Sequence, residues 1–106
     1  MNHYSVYVLI LSAESGLTKK MKKQNSPNTN ILGYLYVGMT GLSVSDRIAN
    51  HTSGHKSCNL VKKYFTGEIY KDYPEYNQLF DYYTASAKEK EVAEYLRGLG
   101  YCVYQK

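Results

Sequence analysis

Arg47 and His51 lie four residues apart, a spacing that places both side chains on one face of a helix. A guanidinium stays charged and its planar fork matches two phosphate oxygens. A neutral imidazole can accept a proton from water or from a tyrosine hydroxyl. Such a pair could act on a phosphate group, and its place just after YVGMTG favours that role over the alternatives. The alternatives are an ordinary surface arginine and a histidine that interacts favourably with the helix dipole.

Two tyrosines occupy segments that are predicted to be strands. Tyr7 lies in Tyr4–Leu11 (YSVYVLIL) and Tyr36 in Gly33–Met39 (GYLYVGM), both rich in β-branched and aromatic residues. A tyrosine hydroxyl can carry a proton, although most strand tyrosines only pack. We interpret most of the 13 tyrosines of the chain as packing residues.

A candidate metal ligand lies on the last predicted helix, in ASAKEKEVAEYLRGLG. Stepping back three or four residues along its apolar stripe leads to Glu89. A carboxylate on an apolar face needs a partner, and a metal ion is one. The alternative is a capping box, in which Glu89 bonds the backbone N–H of Ser86. The stripe is predicted to consist of Val92, Ala93, Leu96 and Leu99.

Two further acids of this helix, Glu91 and Glu94, are predicted to be solvated. Their expected partners are the nearby cations Lys88, Lys90 and Arg97.

The order of elements predicts one α+β domain over residues 1–106, with a small, mostly antiparallel central sheet flanked by helices. Besides the two strands above, we expect strands over Leu79–Thr84 and Tyr101–Tyr104. We expect helices from Ser43 or Ser45 to about Thr52, from Leu60 to Gly67, and from Ser86 to Gly100.

Residues 12–30 form a polar, lysine-rich segment that ends in turn-forming residues. We interpret it as a surface loop inserted between the first two strands. The alternative is an arm that contacts a phosphate backbone.

The chain carries a formal net charge of +4, which favours an anionic partner such as nucleic acid. Its two cysteines form no zinc spacing and no disulfide framework. We therefore expect a cytoplasmic protein with reduced thiols. The N-terminus is predicted to be a strand and not a signal peptide, and no apolar stretch is long enough to cross a membrane.

The order of the short motifs resembles the GIY-YIG endonuclease family over nearly the whole chain. SVY (5–7) stands where the family has GIY, and YVG (36–38) is a common form of the second motif. Arg47, His51 and the sequence HKS (55–57) follow in order, and the acidic last helix comes after them. The final asparagine of many members has no obvious counterpart.

The resemblance implies a metal-dependent endonuclease that hydrolyses DNA phosphodiester bonds. It implies that Glu89 binds Mg²⁺ or Mn²⁺, that Arg47 holds the phosphate, and that Tyr7 or Tyr36 activates water with help from His51. Magnesium takes few protein ligands and keeps several waters, so one carboxylate can be enough. The expected substrate-binding residues are Gly38, Thr40, His55, Lys56 and Lys62.

Two other function classes remain open. One is a nucleic-acid-binding module that keeps the fold but cuts nothing, or cuts only beside a partner. The other is a tyrosine-rich protein-interaction domain. No separate DNA-recognition domain is visible. Target choice could come from a protein partner or from a preference for single strands, branches or lesions, or the domain could be weakly specific.

Overall fold

The computed structural model describes residues 2–26, 30–53 and 58–105. In this part of the chain a four-stranded sheet has the order β3-β1-β2-β4. β1 pairs antiparallel with β2 and β3, and β4 runs parallel to β2. The predicted α+β class and mostly antiparallel sheet are confirmed. The strands are β1 (Ser5–Leu11), β2 (Tyr34–Thr40), β3 (Phe65–Ile69) and β4 (Cys102–Tyr104), and the α-helices are α1 (Lys19–Gln24), α2 (Val44–Ser53), α3 (Asn59–Tyr64) and α4 (Tyr82–Leu99).

The sheet separates two hydrophobic cores because successive side chains of a strand point to opposite faces. Tyr7 and Leu9 of β1 lie on the first face, where α1, α2 and α3 pack. Val6 and Val8 lie on the second face, which α4 covers. β1 is almost completely buried, as predicted for a central strand.

The last helix begins one turn earlier than predicted. Asp81 is its N-cap, and its side chain accepts a 2.7 Å hydrogen bond from the Thr84 backbone N–H. Ser86 therefore lies inside α4, and the capping box that was the alternative role of Glu89 does not form. The predicted strand over 79–84 is also wrong, since Phe80 makes only an isolated bridge to Tyr4. The C-terminal end is as predicted, with Gly100 in the left-handed conformation at φ 114°.

The third strand is β3, which lies where the sequence predicted the end of a helix. α3 ends at Tyr64, and Gly67 is part of the strand with φ 93°. The Thr66 hydroxyl donates a 2.9 Å hydrogen bond to the Ile10 carbonyl of β1. Pairing with β1 overrides the short apolar helical pattern of this segment.

The lysine-rich segment is not a loop in its described part. It forms a 3₁₀ helix over Ala13–Leu17 and then α1, whose N-cap Thr18 accepts a hydrogen bond from the Met21 N–H. Met21 is buried in the first core, and this one apolar anchor holds the helix against the sheet. The lysines of α1 are exposed, as predicted.

The end of α1 covers the outer edge of β4, the last strand of the sheet. Asn25 accepts a 2.8 Å hydrogen bond from the Val103 N–H and donates a 3.0 Å bond to the Val103 carbonyl. Gln24 makes the equivalent pair with Gln105, at 2.8 and 2.7 Å. Two side-chain amides thus satisfy backbone groups that a further strand would otherwise pair.

Within the described residues, no helix has both the length and the apolar composition needed to cross a membrane. Cys58 and Cys102 are buried and form no disulfide bond.

Candidate active site

Tyr7 and Tyr36 lie side by side on the first face of the sheet, with ring centroids 6.1 Å apart. The β1–β2 register places Tyr7 directly opposite Gly38. A Cβ atom at Gly38 would lie 2.7 Å from the Tyr7 hydroxyl oxygen and 2.9 Å from Cε2 of Tyr36. The absence of a side chain at Gly38 therefore creates the space in which the two tyrosines meet.

Helix α2 brings His51 to these tyrosines. Val44 and Ile48 pack on the first core, which turns the last turn of the helix toward β1. His51 is fully buried, and its Nε2 lies 2.9 Å from the Tyr7 hydroxyl oxygen. Its ring centroid lies 5.7 Å from that of Tyr36. The hydrogen bond to Tyr7 gives this helix-terminal histidine a specific partner beyond the helix dipole.

Arg47 lies one turn earlier on α2 and is partly buried. It hydrogen-bonds to Tyr7, and it also lines a cavity of about 470 Å³ together with Thr40. A guanidinium in this position faces both the tyrosine hydroxyl and open space that a phosphate could occupy.

The environment distinguishes the two tyrosines as proton carriers. Burial raises the pKa of Tyr7, while the charge of Arg47 and hydrogen bonds with Arg47 and Tyr36 oppose this rise. Burial also raises the pKa of Tyr36, and there Tyr7, Cys58 and Glu89 all add to the increase. The positive charge of Arg47 thus favours the ionised form of Tyr7, whereas the largest contributions to the pKa of Tyr36 all oppose its ionisation.

Glu89 lies on the buried stripe of α4, as predicted, and is half-buried itself. Burial raises the pKa of its carboxyl from 4.5 to about 7, against a smaller lowering by Lys90. Its negative charge helps to raise the pKa of both Tyr7 and Tyr36, so it acts on the same cluster from α4. The buried members of the stripe are Ala85, Val92, Ala93 and Leu96, whereas Leu99 is 46% exposed and was wrongly assigned to it.

The other two acids of α4 have the solvated roles that the sequence predicts. Glu91 forms an ion pair of 3.1 Å with Lys88, and Glu94 one of 2.6 Å with Arg97. Glu89 therefore remains the candidate ligand of this helix.

The donor set fits a magnesium or manganese ion that is bound mainly by water and substrate. The described residues contain no cluster of three or more acidic, histidine or cysteine side chains able to enclose a metal. Mg²⁺ is commonly held by one or two carboxylates together with waters and phosphate oxygens. Burial disfavours the charge of Glu89, and a divalent cation beside it would reverse that effect.

Gln105 is a site residue that the sequence analysis missed. Its Nε2 donates a long hydrogen bond of 3.4 Å to Oε1 of Glu89. Its backbone is held by Gln24 of the lysine-rich segment. The available signal was a carboxamide shortly after the last helix, in GYCVYQ.

Of the predicted substrate-binding residues, the structure describes Thr40, Lys62 and Gly38, the last of which lies against the two tyrosines. The Thr40 hydroxyl is buried and accepts a 3.0 Å hydrogen bond from the Leu42 N–H, so it shapes the turn before α2. Lys62 is exposed in the last turn of α3. His55 and Lys56 lie outside the described residues.

No protein-family model, curated protein or solved structure matches this chain. The interpretation of the site therefore depends on its geometry and on the order of its motifs.

Gly38→Ala should disrupt the cluster, because the added methyl group would collide with both tyrosine rings. We expect a loss of stability of about 1–3 kcal/mol, typical of overpacking a core. The measurement is urea denaturation. The control is Gly98→Ala on α4, where a Cβ would contact nothing within 4 Å. Equal stability of Gly38→Ala and wild type would contradict the close packing of the two tyrosine rings against Gly38.

The raised pKa of Glu89 predicts a pH dependence of folding in EDTA. Between about pH 4.5 and pH 7 the folded carboxyl holds a proton that the unfolded carboxyl has lost. The free energy of unfolding should therefore fall as the pH rises through this window and level off above it. Glu89→Gln should remove this contribution to the pH dependence of the free energy of unfolding, whereas Glu91→Gln should not. The free energy of unfolding is measured by urea denaturation at several pH values. If its pH dependence is the same for wild type and Glu89→Gln, the raised pKa of the Glu89 carboxyl is refuted.

Proposed function

We propose that this chain is a metal-dependent endonuclease that hydrolyses DNA phosphodiester bonds, with a site like that of the GIY-YIG family. The observation that carries the proposal is the buried 2.9 Å hydrogen bond between Tyr7 and His51, with Arg47 beside it. Attack of water on a phosphodiester can use such a pair to accept the proton of the water, and a permanent cation to stabilise the charge that develops on the phosphate.

Arg47 is the proposed phosphate-binding residue. Its guanidinium lines the cavity and adjoins Tyr7, so a phosphate bound there would lie near the tyrosine hydroxyl. The same positive charge would stabilise negative charge as it develops on the phosphate oxygens.

Tyr7 is the proposed base, and His51 the acceptor of its proton. With Nε2 of His51 unprotonated, the Tyr7 hydroxyl donates to it across 2.9 Å. The ionised Tyr7 oxygen, next to the positive charge of Arg47, can then take a proton from the attacking water. Burial makes the phenolate costly, and the cation and hydrogen bonds offset part of that cost.

Glu89 is the proposed ligand of Mg²⁺ or Mn²⁺. The bound ion would supply positive charge to the phosphate oxygens at the site of bond cleavage. The Gln105 side chain restricts the orientation of the Glu89 carboxylate through their hydrogen bond. Protons compete with a metal for a carboxyl of pKa about 7, so Glu89 is a better ligand at and above neutral pH.

Glu89→Gln should lower metal-dependent cleavage by about 100-fold or more, since it removes the charge that holds the ion. The assay uses labelled single-stranded, double-stranded and branched DNA with Mg²⁺ or Mn²⁺, and EDTA as the metal-free control. Glu91→Gln is the matched control, because Glu91 lies on the same helix but pairs with Lys88 in solvent. Urea denaturation verifies that both variants fold.

The outcomes separate the rival functions. Cleavage that survives Glu89→Gln would contradict the metal role of Glu89. No cleavage of any substrate by the wild type, with DNA binding that weakens steeply with salt, would indicate a binding module instead.

A further inference from the structure

The cavity beside Arg47 has a wall of aromatic rings that the proposed hydrolysis does not use. It lies where β1 begins and β2 ends, next to the start of α4. Its volume of about 470 Å³ falls within the usual range of about 300–1,000 Å³ for small-ligand sites. Its lining includes Tyr4, Met39, Leu42, Arg47, Asn50 and Tyr82, together with Thr40 and Gly41.

The aromatic wall extends from the cavity to the surface. Tyr4 and Tyr82 meet edge to face with centroids 5.3 Å apart, and Tyr83 continues the row at 5.4 Å from Tyr82. Tyr82 is 52% exposed and Tyr83 84% exposed. The ring of His3 lies tilted against that of Tyr4, with the two centroids 4.4 Å apart. The row therefore presents ring surface to solvent beside the cavity.

The backbone holds this wall in place before any ligand binds. Tyr4 exchanges two hydrogen bonds with Phe80, of 2.9 and 2.7 Å. The Asp81 cap fixes the first turn of α4, to which Tyr82 and Tyr83 belong. The Asp81 carboxylate is directed at the Thr84 N–H, so its charge is engaged within the helix cap.

We propose that this cavity, which we call the base cavity, binds an unpaired nucleobase adjacent to the phosphate held by Arg47. The proposal rests on the proposed function and specifies its substrate as DNA that is single-stranded at the cut. Nucleic-acid bases stack on aromatic side chains regardless of sequence, while a neighbouring cation holds the backbone. A base inside a duplex has both faces covered by its neighbours and would have to leave the stack to enter the cavity.

The test is a binding measurement in EDTA, where no metal-dependent cleavage occurs. Fluorescence anisotropy would follow a labelled strand of about 12 thymidines, a fully abasic strand of equal length, and a duplex. Tyr82→Ala should weaken binding of the thymidine strand by about 5- to 150-fold, the loss expected for one stacked base. It should leave binding of the abasic strand unchanged, because no base remains to be stacked.

Two variants serve as controls. Tyr82→Phe keeps the ring and should bind the thymidine strand with close to wild-type affinity. Tyr95→Ala removes a ring of similar exposure, 44%, from the same helix. Tyr95 does not line the base cavity, so its loss should not affect binding.

Equal binding by Tyr82→Ala and wild type, or an equal loss on the abasic strand, would overturn the base cavity. Tighter wild-type binding to the duplex than to the single strand would overturn it as well.

A parallel cleavage assay in Mg²⁺ separates the two proposals. If the wild type cleaves DNA and Tyr82→Ala does not affect binding, the nuclease proposal holds and the base-cavity proposal fails. If Tyr82→Ala weakens binding of the thymidine strand but not of the abasic strand, and the wild type cleaves nothing, the base-cavity proposal holds and the nuclease proposal fails.

Discussion

Tyr7 of β1 lies directly opposite Gly38 of β2, and the geometry of the candidate site depends on this pairing. Opposite residues of an antiparallel pair project to the same face, so the missing side chain leaves room for the Tyr7 ring to reach over β2. Tyr36, two residues before Gly38, shares that face and limits where the ring can lie. A one-residue slip in register would turn both tyrosines to the second face. α2 could then no longer bring His51 to the Tyr7 hydroxyl.

The lysine-rich segment supports the site from a distance. Met21 anchors α1 in the first core, and Gln24 and Asn25 pair with the outer edge of β4. This pairing fixes the backbone of Gln105, whose side chain contacts Glu89. A segment that resembles a solvated loop in the sequence thus helps to position the proposed metal ligand.

The sequence predicted elements whose own residues carry strong local signals. β1, β2, α2 and the Gly100 cap follow from β-branched runs, helical spacing and a glycine stop. α1 was missed because its single buried residue, Met21, lies among lysines. The start of α4 was missed because LFDYYT has the composition of a strand, while Asp81 acts as a cap. β3 was missed because its pairing with β1 is a tertiary effect that local propensity does not encode.

The candidate site was predictable only in part for the same reason. The helical spacing of Arg47 and His51 and the apolar neighbours of Glu89 are local features. The Tyr7–His51 hydrogen bond joins residues 44 positions apart, and the Glu89–Gln105 contact depends on where β4 ends. These contacts exist only once the sheet has formed, and motif order alone pointed to the first of them.

The most direct measurement is single-turnover DNA cleavage by Tyr7→Phe beside Tyr36→Phe. Phenylalanine keeps each ring against Gly38 and removes only the hydroxyl. We expect Tyr7→Phe to lower the cleavage rate by about 100-fold or more, the usual contribution of a general base, and Tyr36→Phe to lower it less. Cleavage by Tyr7→Phe at the wild-type rate would contradict a site organised around the Tyr7–His51 hydrogen bond.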